Sequence, residues 1–89
     1  MKVVAKEIEM IAYFKKSGKI EPLKFRIEKD NEYKVIKINK IVKKSQERFC
    51  GNKMLVFTCI SIIDNLERIM EIKYDVENCN WILYKIWNE

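Results

Sequence analysis

Apolar and charged residues alternate through much of the stretch EIEMIAYFKKSGKIEPLKFRIEKDNEYKVIKINKIVKK, residues 7–44. A period of two sends successive side chains to opposite faces of a strand, so it constrains this chain more than any other feature. Ile8, Met10, Ala12 and Phe14 share one parity, while Glu7, Glu9, Ile11 and Tyr13 share the other, which predicts a strand over residues 3–15. Ser17-Gly18 marks a turn. Leu23, Phe25 and Ile27 then alternate with Lys24, Arg26 and Glu28 in the cleanest amphipathic strand, with Pro22 at its first position, where a missing N–H costs least.

Lys29-Asp30-Asn31-Glu32 is a turn. Tyr33 and Val35 follow on one parity and Ile36 and Ile38 on the other, a phase change that predicts a β-bulge near Val35-Ile36. Bulges of this kind let a small sheet curl toward a barrel. Residues 39–52 fit either a short helical turn through Ile41, Val42, Ser45 and Phe49 or a strand end and loop closing at Gly51-Asn52; the loop is preferred.

Residues 54–63 form a β-branched apolar run suited to a central strand, and Asp64-Asn65 turns the chain. A two-residue loop there sets Cys59 opposite Met70, Phe57 opposite Ile72 and Leu55 opposite Tyr74. These six residues are the predicted core. For the last hairpin, a three-residue loop at Glu77-Asn78-Cys79 sets Tyr74 opposite Ile82, Ile72 opposite Tyr84 and Met70 opposite Ile86. Glu71 then meets Lys85 as a favourable cross-strand pair. This register leaves Trp81, Leu83 and Trp87 on the far face with Ile60, Ile62 and Ile69. A four-residue loop instead turns Trp81 and Leu83 inward and pushes Lys85 in with them.

The 89 residues suggest one domain with a thin core. The expected fold is all-β: about six antiparallel strands in meander order, as a curled sheet or small partly open barrel. One short helical turn near residues 41–49 is the only helical element considered. Two strands, over 54–63 and 81–87, are apolar on both faces, so something must cover the second face. The candidates are the N-terminal strand after a bend, the segment near residues 41–49, or a second copy of the chain. The leftover apolar area around Ile60, Ile62, Leu83 and Trp87 is therefore a candidate interface, with a two-layer sandwich as the alternative.

The sequence lacks histidine, which removes the commonest general base and metal ligand. Cys50, Cys59 and Cys79 are odd in number and form no CxxC pair, fitting neither a disulfide framework nor a zinc ribbon. Gly18 and Gly51, the only glycines, cannot build a phosphate loop. The carboxylates read as strand-face or turn residues. No catalysis, cofactor or metal is expected. Cys59, between Phe57 and Met70, reads as a buried inert thiol, and Cys79 as an exposed turn residue. The longest apolar stretch has ten residues, short of a membrane-spanning helix, and no signal-peptide pattern is visible, so the expectation is a cytoplasmic protein with no membrane contact.

Charge is uneven. Residues 1–44 hold thirteen Lys+Arg and six Asp+Glu, a net +7, whereas residues 45–89 carry a net −2. Lysines on exposed strand faces discourage aggregation, and the same asymmetry suits a polyanion. The best binding constellation joins Lys24, Arg26, Lys34 and Lys37 with Tyr13 and Tyr33. Small β-barrels hold single strands by stacking bases on aromatics while cations follow phosphates. The expected function is a non-catalytic binding module contacting nucleic acid, or an acidic protein, through the basic first half. The alternative is a protein–protein module or homodimer using the apolar second face.

Gly18, Pro22, Phe25-Arg26-Ile27, Tyr33-Lys34-Val35 and Trp81-Ile82-Leu83-Tyr84-Lys85 occur in an order that resembles a family of short, uncharacterised bacterial proteins. That family's pattern runs glycine turn, proline, Phe-Arg-apolar, Tyr-x-Val and Trp-x-Leu-x-Arg. The chain departs from it at Ile27, where the family has Trp, and at Lys85, where it has Arg. Some members are encoded beside error-prone DNA polymerases, so the resemblance implies an accessory role in DNA repair. It supplies no catalytic residues.

Overall fold

The computed structural model describes residues 2–87. Seven strands occur among them: β1 (Lys2–Phe14), β2 (Ile20–Lys29), β3 (Glu32–Lys37), β4 (Lys40–Phe49), β5 (Asn52–Ile63), β6 (Leu66–Asp75) and β7 (Asn80–Trp87). They form one antiparallel sheet in the order β3-β2-β1-β7-β6-β5-β4. Each strand pairs with its chain neighbour except β3 and β4, which lie at opposite edges of the sheet, and between β2 and β4 the curled sheet has an open seam.

Residues 40–49 are a strand, neither a loop nor a helical turn. The reason is the pairing of β4 with β5 along its whole length and a tight Cys50-Gly51 turn, with φ of 51° and 85°. Asp30-Asn31 and Asp64-Asn65 make equivalent two-residue turns with both φ positive, the geometry that matches strand twist. The β5–β6 register is the expected one, with Cys59 opposite Met70, Phe57 opposite Ile72 and Leu55 opposite Tyr74. Five of those six are buried, and Leu55 packs half-buried against them.

The predicted bulge at Val35-Ile36 is absent, and β3 pairs with β2 without interruption. The phase change has another cause. Tyr33 and Val35 lie on the outer face, exposed, while Ile36 and Ile38 point into the core. Bulges occur elsewhere. Leu23 is the extra residue of β2 opposite Ile11/Ala12, which turns Pro22 inward and leaves Leu23 half-exposed. Pro22 is therefore the third residue of β2, beside a bulge, rather than its first.

The last hairpin combines both expected registers. Its loop has four residues, so Tyr74 faces Trp81 and Ile72 faces Leu83. Tyr84 is then an extra residue, after which Glu71 faces Lys85 and Met70 faces Ile86. The loop turns Trp81 and Leu83 inward, and the bulge that follows keeps Lys85 out. Asp75 caps this loop, accepting bonds from the backbone N–H groups of Glu77 (3.1 Å) and Asn78 (3.2 Å) and from the Asn78 amide (2.9 Å). The Asn78 amide bond is the main cause holding its carboxyl below the usual carboxylate range.

The core lies on the inner face of the curl. Trp81 stacks against Tyr74 with ring centroids 4.6 Å apart, and Cys59, Met70 and Ile72 are fully buried. On the outer face of β5, Met54 and Val56 are also buried. Lys73 lies opposite Val56, and Glu47 lies opposite Met54. The Lys73 Nζ–Glu47 Oε2 ion pair (2.8 Å) therefore crosses β5 between them, with the Lys73 stem as cover. Side chains from β4 and β6 cover this part of the second face, where a second layer or a second copy was the alternative.

Candidate functional site

The outer face of β1, β2 and β3 carries five of the six expected binding residues. Strand alternation puts Glu9, Ile11 and Tyr13 on this face of β1. Register then aligns Glu9 with Arg26 and Val35, and Ile11 with Lys24 and Lys37. Tyr13, Ile11, Tyr33 and Val35 are all well exposed. A shallow groove of about 340 Å³ runs among Glu9, Ile11, Lys24, Arg26 and Val35.

The two kinds of cation differ in their commitments. The Arg26 guanidinium donates to Glu9 (Nε–Oε1 2.6 Å) and lies 4.2 Å from the Tyr33 ring centroid. The Glu9 bond chiefly raises the Arg26 pKa further, so Arg26 is a fixed cation held against an aromatic face. Lys24 and Lys37 sit directly opposite each other, and no described carboxylate pairs with either. Like charges placed so are mutually unfavourable, and an anion between them relieves the repulsion.

Lys34 does not belong to this group. It lies opposite Ile27, on the core side of β3, and its Nζ reaches the Asp64 carboxylate at 3.2 and 3.3 Å. Alternation within Tyr33-Lys34-Val35 required this separation once Tyr33 faced outward.

Four lysines outside the expected set lie elsewhere. Lys40, Lys43 and Lys44 of β4 and Lys19 before β2 border the open seam, and none has a carboxylate partner among the described residues. Sequence reasoning leaves them out of the site because it expects a loop over residues 39–52. The signal was present in the run Lys40-Ile41-Val42-Lys43-Lys44, once it is recognised as an edge strand.

The apolar candidate interface divides. Ile60, Ile69 and Trp87 form one cross-strand row on the outer face of β5, β6 and β7, with exposed Ile62 beside it. Leu83 is on the opposite face, 1% exposed in the core, because the four-residue loop reverses its direction.

Neither cysteine chemistry nor metal chemistry gains support. Burial pushes the Cys59 thiol up to about 12, and its Sγ donates to the Phe57 carbonyl at 3.7 Å. Cys50 and Cys79 are exposed in turns. Among the described residues no group of three or more potential ligands gathers. No helix of the described residues is long and apolar enough to cross a membrane. No protein-family model, curated protein or solved structure matches the chain.

Proposed function

We propose that the protein is a non-catalytic binding module that holds single-stranded nucleic acid on the outer face of β1–β3. The observation carrying this reading is the unneutralised Lys24–Lys37 pair beside the Arg26–Tyr33 stack. Lysines placed so follow phosphates, while Tyr33 and Tyr13 offer faces for bases. The resemblance to proteins encoded beside error-prone polymerases agrees with a DNA ligand. Binding of a short single-stranded DNA is expected to weaken steeply with salt. Lys24→Gln with Lys37→Gln is expected to flatten that salt slope by roughly one unit or more. Binding that ignores salt, or a double variant with the native slope, would overturn the proposal.

The row Ile60, Ile69 and Trp87 supports a second reading, a homodimer through the outer face of β5–β7. Sedimentation equilibrium of the native chain and of Ile62→Glu and Trp87→Glu tests it. A native dimer that both variants convert to folded monomers supports this reading, and a native monomer excludes it.

A further inference from the structure

Along the seam between β2 and β4, the edge of β4 and the first residues of β2 have no neighbouring strand. β3 pairs only with residues 24–29 of β2, so Ile20–Leu23 has a partner strand on the β1 side alone. β4 has a partner strand only in β5. No Cα of β2 comes within 8 Å of any Cα of β4. Paired strands lie roughly 4.8 Å apart, so β2 and β4 are not paired across the seam. At one end the gap is clasped by the chain itself. Ile38 donates its N–H to the Leu23 carbonyl (2.9 Å) and Asn39 donates to the Ile60 carbonyl (2.9 Å). Beyond that clasp the seam opens into a groove of about 510 Å³ and then one of about 380 Å³ lined partly by Leu55 and Phe57.

The two-residue Cys50-Gly51 turn decides which backbone groups of β4 are free. Its flanking pair, Phe49 and Asn52, is hydrogen-bonded, and bonded pairs alternate with unbonded ones along an antiparallel ladder. Lys44, Gln46 and Arg48 therefore turn their N–H and C=O groups toward the seam. Positive charge predominates around this edge. Lys19, Lys40, Lys43 and Lys44 line it, and the two carboxylates beside it, Glu21 and Glu47, are paired with Lys15 and Lys73.

We infer that the seam binds an extended acidic peptide of a partner protein, which pairs its backbone with the free edge of β4. Main-chain bonds supply the affinity of such strand addition, and side chains select the sequence. Lys40 and Lys43, on the outer face opposite Ile60 and Thr58, reject a second copy of this edge and accept glutamate or aspartate, and half-buried Leu55 on the inner face accepts the alternate side chains. This site is separate from the nucleic-acid face proposed above.

The test uses a nine-residue peptide alternating glutamate with valine, and a control with lysine replacing glutamate. Amide hydrogen exchange of the full chain is followed by NMR. The glutamate peptide is expected to protect the Lys44, Gln46 and Arg48 amides, and the lysine peptide to leave them unchanged. Gln46→Pro removes one free edge N–H without touching a β4–β5 bond and is expected to abolish binding. Lys43→Glu with Lys44→Glu, which keeps every backbone group, is expected to abolish it too. Three results would overturn the inference: no protection by the glutamate peptide, equal protection by both peptides, or undiminished binding by a folded Gln46→Pro chain. Protection of the same amides by single-stranded DNA but not by the glutamate peptide would likewise overturn it.

Discussion

Individual residues in this chain show how local chemistry follows burial. Ser61 is fully buried on the inner face, and its hydroxyl has no hydrogen-bond partner among the described residues. An unsatisfied buried hydroxyl costs about 1–3 kcal/mol, whereas alanine in its place leaves nothing to satisfy. Ser61→Ala is expected to raise stability by about 1 kcal/mol in urea unfolding. A loss of similar size would show that the hydroxyl is satisfied. Cys59 gives the second case. Its thiol titrates near 9 when unfolded and at about 12 when folded, so the folded chain holds the proton longer. This contribution to stability is intact below pH 9 and is lost as pH rises toward 12, at up to about 1.4 kcal/mol per unit. Unfolding of native protein compared with Cys59→Ala over pH 8–11 isolates it from lysine titration. At pH 8 a thiol reagent is expected to label Cys50 and Cys79 and spare Cys59.

At the scale of elements, β7 is the most instructive. Its pattern places Trp81 and Leu83 inside and Ile86 inside, two sets of opposite parity reconciled by one extra residue, Tyr84. The bulge is matched on the other side of β7, where Val4-Ala5 of β1 opposes the same tyrosine and Ala5 takes φ of 47°. The burial of Leu83 has a direct consequence. Leu83→Ala is expected to cost about 2–5 kcal/mol, as for a core leucine. Ile62→Ala on the outer face is expected to cost no more than about 0.5 kcal/mol in the monomer. Parallel urea unfolding of the two variants checks the assignment, and similar losses would refute it.

For the molecule as a whole, the decisive contact is the two-residue crossing at Ile38-Asn39. It carries the chain from one sheet edge, β3, to the other, β4, across the seam. Besides the backbone bonds Ile38 makes to Leu23 and Asn39 makes to Ile60, the Asn39 side-chain oxygen accepts the Ile62 N–H at 3.2 Å. Asn39→Ala removes that acceptor and is expected to lower stability by about 1 kcal/mol. It is also expected to speed amide exchange in β3 more than in β6, which exchange-detected NMR reads directly. Uniform acceleration in all strands would mean that the clasp opens only with global unfolding.

Much of this was legible beforehand, for a physical reason. Alternation and turn chemistry are local, so the all-β class, the turns at Asp30-Asn31 and Asp64-Asn65, and the β5–β6 register with its core followed from the residues alone. Tyr13, Lys24, Arg26, Tyr33 and Lys37 shared a face because period two and a regular β2–β3 ladder put them there. Lys34 fell outside the group because its parity is opposite, which the sequence also contained. What the residues could not decide were the interruptions of the pattern. A bulge shifts phase by one residue wherever neighbouring strands need it. Leu23, Val42 and Tyr84 are such positions only because β1, β5 and β6 pair where they do. The seam belongs to the same class. Whether β4 closes against β2 or stands apart depends on the summed twist and curl of seven strands, a long-range quantity that no short window of sequence encodes. Periodicity determined which residues could share a face, and tertiary pairing decided which faces became core, binding surface and open edge.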